Sequence, residues 1–145
     1  MEKKKVLFVC VHNSARSQMA EAFLKQIGGR YFDAESAGIE PAMLNPLVVE
    51  SMGEIGIDIS RNKAKDVFDF IKAAKRYHYV VTVCDEAHAE RCPIFPGVAE
   101  RLHWSFADPS ALTGTRKEKL ARIGAIRDAI GQRVRQFVSE YSVRD

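Results

Sequence analysis

The sequence predicts an α/β fold, a single three-layer domain with a four-stranded parallel sheet flanked by helices. Three observations point there. Short apolar runs alternate with stretches of helical periodicity. The runs are apolar at nearly every position, as strands buried on both faces are. A polar turn follows the first run, where open parallel sheets bind their ligands, beyond the strand carboxyl ends.

Residues 5–9 form the first apolar run and the first expected strand. After a polar turn to Arg16, Ala20, Phe23, Leu24 and Ile27 fall at helical spacing, and Gly28 and Gly29 stop that helix. Residues 31–36 read as a second strand, with Gly38 and Pro41 in a loop. Asn45 followed by Pro46 is a helix start, and Leu47, Val48, Met52 and Ile55 continue it to Gly56. Residues 63–75 are expected to be helical, with Val67, Phe68 and Ile71 inward. The β-branched residues of 79–83 predict a third parallel strand. The polar stretch 85–100, with Pro93, Pro96 and Gly97, is expected to be mostly loop, and 101–106 a short fourth strand. The apolar positions Ile123, Ile126, Ile130, Val134, Phe137, Val138 and Tyr141 predict the last helix. No repeat or linker divides residues 1–145, so one domain is expected.

The composition is that of an ordinary soluble globule, 46% hydrophobic and 28% charged. A net charge of +3 is too mild to argue for a nucleic-acid or membrane-surface partner, though it helps attract a small anion. Lys3, Lys4 and Lys5 precede an apolar run too short for a signal peptide, and nothing approaches a transmembrane span. A cytoplasmic monomer is the expectation. The 3 cysteines, Cys10, Cys84 and Cys92, cannot all pair within one chain. In a reducing compartment such cysteines are more often free, catalytic or metal-bound than bridged.

The chemistry concentrates in Cys10, Val11, His12, Asn13, Ser14, Ala15, Arg16 and Ser17. A tight strand-to-helix loop turns backbone N–H groups inward as an anion nest. The helix N-terminus adds donors and the positive end of its dipole. Arg16 offers a planar fork for two oxygens of a tetrahedral anion, a grip lysine lacks. Together they favour a Cys10 thiolate, and Ser17 can donate to its sulfur. Asn13 and Ser14 can brace the loop. On residues alone, Asp108 before Pro109 is a turn signal. Cys84 and Cys92, taken singly, read as buried small hydrophobes, and Asp85 as a solvated loop residue.

Residues 9–21, residues 36–40, and Asp108 with Pro109 resemble the thioredoxin-coupled arsenate reductases built on the low-molecular-weight tyrosine phosphatase fold, over residues 6 to about 137. The resemblance implies that Cys10 attacks arsenate held by the loop and that Asp108 protonates the departing oxygen. It implies that Cys84 then attacks Cys10, releasing arsenite, and that Cys92 resolves the Cys10–Cys84 bridge. Reduced thioredoxin, the implied electron donor, would reopen Cys84–Cys92, with no tightly bound cofactor. Relatives of this kind also suggest potassium at Asn13, Glu21, Ser36 and an acid that here corresponds to Asp66, shifted by one.

The alternative within this fold is a phosphatase hydrolysing phosphate monoesters through a Cys10 phosphoenzyme, with phosphate or sulfate as analogous ligands. Against it, such phosphatases commonly carry proline where Gln18 stands and cysteine where Ala15 stands. Ser105, Phe106, Ala107, Ser110, Ala111 and Leu112 also make a weak aromatic platform. His12 replaces a frequent glycine, and the Cys84–Cys92 interval is one residue longer than usual. An oxyanion-sensing protein without turnover would need the loop but not Asp108. Metal held by three thiolates fits poorly, because the spacing is not a zinc pattern and His88 and His103 lack ligand pairs.

Overall fold

The computed structural model describes residues 2–84, 91–93, 95 and 97–142. Its sheet has four strands, β1 (Lys4–Cys10), β2 (Phe32–Gly38), β3 (Tyr79–Thr82) and β4 (Glu100–His103). All neighbours are parallel and the order is β2-β1-β3-β4. The chain leaves β1 toward β2 on one side and later returns to β3 on the other. The carboxyl ends of β1 and β3 therefore flank the topological switch point, where open α/β sheets hold ligands.

Side-chain alternation along β1 feeds two cores. Val6, Phe8 and Cys10 join a cluster with Met19, Phe23 and Leu24 from helix α1 (Arg16–Gly28) and Ile130, Val134 and Phe137 from helix α4 (Arg116–Tyr141). Helix α2 (Pro46–Glu54) adds Val48 and Met52 to that face. Leu7 and Val9 point the other way, to Val67 of helix α3 (Val67–Lys72), Tyr77, Cys92 and Phe95. Both faces are covered, which is why residues 6–9 carry no polar alternation. Among the described residues no helix is long and apolar enough to cross a membrane.

Helix ends follow their local chemistry. Asn45 caps α2 by accepting from Leu47 N, with Pro46 at the first position. Thr115 and Glu118 form a reciprocal capping box on α4.

Several expected boundaries move. The helix expected over 63–75 shrinks to Val67–Lys72, and Phe68, expected inward, is 43% exposed. Residues 62–66 instead form a strap whose polar groups bond Asn13 of the loop after β1 and Gln18 of α1, so tertiary pairing overrides the helical pattern. Gly38, expected in a loop, ends β2 and receives its pairing from Lys65 O and Cys10. β3 closes at Thr82, and β4 spans Glu100–His103 rather than 101–106, because the chain must turn to bring Phe106 toward Arg16. Of the expected loop 85–100, residues 85–90, 94 and 96 lie outside the described residues, and with them Asp85 and His88.

Candidate active site

Cys10 ends β1 and Arg16 begins α1, so residues 11–15 make the turn between them. The carbonyls of Cys10, Val11, His12 and Ser14 accept from Ile39 N, Glu40 N, Ala42 N and Asn45 N, at 3.2, 2.7, 3.0 and 3.0 Å. Residues 39–45 thus hold the outward side of every one of those peptide groups. In a planar trans peptide the following N–H points the opposite way. The amides of Val11, His12, Asn13 and Ala15 are therefore turned from that strip toward the inside of the loop. Asn13 N–H shows the direction, donating to Cys10 Sγ at 3.2 Å.

Asn13 adopts a left-handed conformation, φ 51°, which its side chain helps to hold. Its Oδ1 accepts from Gln18 Nε2 at 3.0 Å and Lys65 N at 2.9 Å. That fixes Nδ2 as the donor to Ser17 Oγ at 2.6 Å. The Ser17 hydroxyl then has its proton free for Cys10 Sγ, 2.9 Å away. Two donors thus converge on the sulfur.

Gln18 is fully buried and its amide joins three segments. Nε2 donates to Asn13 O and Lys63 O, and Oε1 accepts from Asn62 Nδ2. Gly38 lies under the same loop. A Cβ there would meet Asn13 N and His12 C at 2.8 Å and Val11 O at 2.9 Å. Sequence reasoning missed Gln18, Asn62, Lys65 and Gly38 as loop supports. Their partners are 5 to 52 positions away along the chain, and only the identity of Gly38 carried a local signal.

Arg16 is 4% exposed. Its Nη1 donates to Phe106 O at 3.1 Å, and its Nη2 lies 3.8 Å from Asp108 Oδ2. Asp108 Oδ1 caps the 3-10 turn Pro109–Ala111 by accepting from Ser110 N. Asn45 Nδ2 holds Ser110 Oγ at 3.0 Å, which ties this turn to the α2 N-terminus. Asp108 is thereby brought beside the arginine of the loop. His12 donates Nδ1–H to Glu40 O at 2.8 Å, since a carbonyl can only accept.

The three thiols are buried, and none is in a disulfide. Cys84 lies two residues beyond β3 in the same core cluster as Cys10. Val83 N donates to Val9 O at 2.9 Å, so β1 and β3 stay paired up to the residues just before both cysteines. Cys92 packs in the opposite core, with Val9, Tyr77 and Phe95. Burial pushes its thiol up from the ordinary range, only partly offset by Arg101. The structure brings Cys10 and Cys84 to one side of the sheet and leaves Cys92 on the other. Arg91 and Glu40 pair at 2.5 Å, linking the Cys92 segment to the strip behind the loop.

Of the residues suggested for potassium, Glu21 and Ser36 come together, while the Asp66 carboxylate is engaged elsewhere. Glu21 and Ser36 meet, Ser36 Oγ donating to Glu21 Oε1 at 2.5 Å. Asp66, however, uses its carboxylate to cap α3 through Phe68 N, and Lys65 Nζ stands 3.3 Å from Glu21 Oε1. A metal ion there would meet an ammonium already on the central carboxylate.

The profile of the low molecular weight phosphotyrosine protein phosphatase family matches residues 5–144. An arsenate reductase of Bacillus subtilis is 44% identical over 137 residues, covering 94% of this chain and 96% of its own. A solved arsenate reductase in a phosphate-binding state is 30% identical with a TM-score of 0.75, covering 94% of this chain and 98% of that one. A thioredoxin-dependent arsenate reductase of Corynebacterium glutamicum is 31% identical with a TM-score of 0.61. It spans 92% of this chain and 63% of its own.

Proposed function

This chain belongs to the low molecular weight phosphotyrosine protein phosphatase family, and on that premise we propose that it is an arsenate reductase recycled by reduced thioredoxin. The observation that carries the reading is a second thiol in the nucleophile's own core cluster. Cys84 is buried in the same cluster as Cys10, at the end of the adjacent parallel strand. Hydrolysis has no use for it, whereas reduction requires it.

In this reading the inward amides of Val11, His12, Asn13 and Ala15 and the Arg16 fork hold arsenate. Cys10 sulfur attacks arsenic, and Asp108 protonates the oxygen that leaves as water. Cys84 then attacks Cys10 sulfur. The sulfur–arsenic bond breaks and its electron pair stays on arsenic, which departs as arsenite. The two thiols supply both electrons and become the Cys10–Cys84 disulfide. Cys92 attacks Cys84, freeing Cys10, and a thioredoxin dithiol reduces the Cys84–Cys92 bridge. A bridge needs its Cα atoms within about 7 Å, so Cys84 and Cys92, which pack in opposite cores, must come together during the cycle. The name of the Corynebacterium relative supports thioredoxin as the donor. Cysteines left out of disulfides at all three positions suit a reducing compartment such as the cytoplasm.

Cys10, Arg16 and Asp108 also suit phosphate monoester hydrolysis, and family membership supports such a side activity. The test is arsenite production with thioredoxin, thioredoxin reductase and NADPH, run beside p-nitrophenyl phosphate hydrolysis. Cys84→Ser should stop multiple turnover with arsenate and spare hydrolysis. Arsenate reduction by Cys84→Ser at the wild-type rate would sink the reductase reading in favour of the phosphatase.

A further inference from the structure

Glu21 is a carboxylate with only 5% of its surface exposed. A buried charge of this kind is costly unless it is paired and hydrogen-bonded. Three groups meet it. Ser36 Oγ and Lys65 Nζ reach Oε1 at 2.5 and 3.3 Å, and Lys25 Nζ reaches Oε2 at 2.5 Å.

The two lysines play different parts. Lys25 stands one turn along α1 from Glu21, with its side chain 59% exposed. Such a pair is a surface helix contact of small worth. Lys65 belongs to the strap of residues 62–66 and is anchored at three points. Its N–H donates to Asn13 Oδ1 at 2.9 Å, its carbonyl accepts from Gly38 N at 2.7 Å, and its ammonium meets Glu21. One residue therefore touches the left-handed residue of the oxyanion loop, the glycine beneath that loop, and the helix that follows it.

We propose that Lys65 is a positioning residue whose ammonium acts as a built-in cation on Glu21, so that this oxyanion loop holds its shape without a monovalent metal ion. The chain of contacts is short. The ammonium holds Glu21 and, with it, the strap. The strap holds Asn13 Oδ1, which orients Nδ2 toward Ser17 and so the Ser17 hydroxyl toward Cys10 sulfur. Lys65 touches neither the sulfur nor the oxyanion nest, so it acts through Asn13. A cleft of about 480 Å³, lined in part by Glu21, Lys25, Asp58 and Asn62, opens beside the carboxylate. Small cations from solvent can reach Glu21 by that route once the ammonium is removed.

The inference rests on the oxyanion-binding role of the loop proposed above, and its test is read in binding rather than in turnover. Inorganic phosphate is titrated calorimetrically into the reduced protein in KCl, in methylammonium chloride and in choline chloride at equal ionic strength. Wild type should bind equally in all three. Lys65→Ala should bind about tenfold more weakly in choline, whose cation is too large for the vacated place, and recover most of that loss in potassium or methylammonium. Lys65→Gln keeps a donor without the charge and fills the space, so it should stay weak in every salt. Lys25→Ala should lose less than Lys65→Ala. A defect caused only by poorer folding would not depend on the cation, and thermal melts in each salt separate the two. The proposal is overturned if Lys65→Ala binds phosphate like wild type in choline, or if its loss is the same in all three salts. Failure of wild type to make arsenite would count against the reductase reading alone and leave this comparison standing.

Discussion

Replacing Gly38 with alanine should damage the oxyanion loop although Gly38 carries no side chain and touches no ligand. The added Cβ would sit 2.8 Å from Asn13 N, 2.8 Å from His12 C and 2.9 Å from Val11 O. All three are backbone atoms, so no side-chain end can swing aside. Non-bonded heavy atoms are best placed at about 3.5–4.0 Å, so the loop or β2 must retreat by more than about half an ångström. Forced overpacking of this kind costs about 1–3 kcal/mol. In a domain of this size that is a fall in Tm of about 3–10 °C. The same retreat pulls the inward amides off their common target, and misplacements near 1 Å cost about a hundredfold in turnover. Thermal melts and phosphate titration of Gly38→Ala measure both effects. Gly53→Ala is the control, because nothing lies within 4 Å of its Cβ in α2, and it should gain about 0.5–1 kcal/mol. The reasoning fails if Gly38→Ala melts with wild type and binds phosphate unchanged.

Other outcomes follow from the same geometry. Arg16→Lys should weaken phosphate and arsenate binding by about tenfold or more despite the retained charge, because a point ammonium cannot replace the fork; unchanged arsenate kinetics would make Arg16 merely structural. Asp108→Asn should slow the chemical step by about 10²–10⁴-fold in single turnover, and an unchanged rate there would move the acid elsewhere. Burial raises the Cys92 thiol above its ordinary range, so its protonated form persists where a free thiol already ionises. Its contribution to stability is complete below the unfolded-state pKa and is lost as pH climbs through the raised one. Iodoacetamide should accordingly label Cys92 in the native fold more slowly than free cysteine at about pH 8 and catch up only in stronger alkali. Labelling of Cys92 at the free-thiol rate at neutral pH would contradict its burial.

The sequence made the loop legible because its chemistry is local. Cys10, Arg16 and Ser17 lie within eight successive positions between a strand and a helix, and periodicity reveals both. Helix caps at Asn45 and Thr115 are likewise set by neighbours a few positions away. What shapes the loop from behind was not legible. Gln18 looks like a surface helix residue until Lys63 O and Asn62 fold onto it. The strap of residues 62–66 carries helical spacing in its vicinity, yet its backbone pairs with Asn13 and Gly38 instead. Cys84 and Cys92 are eight positions apart, and nothing in that spacing shows that one joins the core of Cys10 and the other the core behind the sheet.

The central claim is the passage of two electrons from three thiols to arsenic, and disulfide mapping reads it directly. Reduced wild type and Cys92→Ser are each given one equivalent of arsenate without thioredoxin, quenched by alkylation and mapped by mass spectrometry. The account predicts a Cys84–Cys92 bridge with Cys10 alkylated in wild type, and a Cys10–Cys84 bridge in Cys92→Ser, each with one arsenite released. Arsenite release with all three thiols alkylated, or a bridge in Cys92→Ser that omits Cys10, would contradict it.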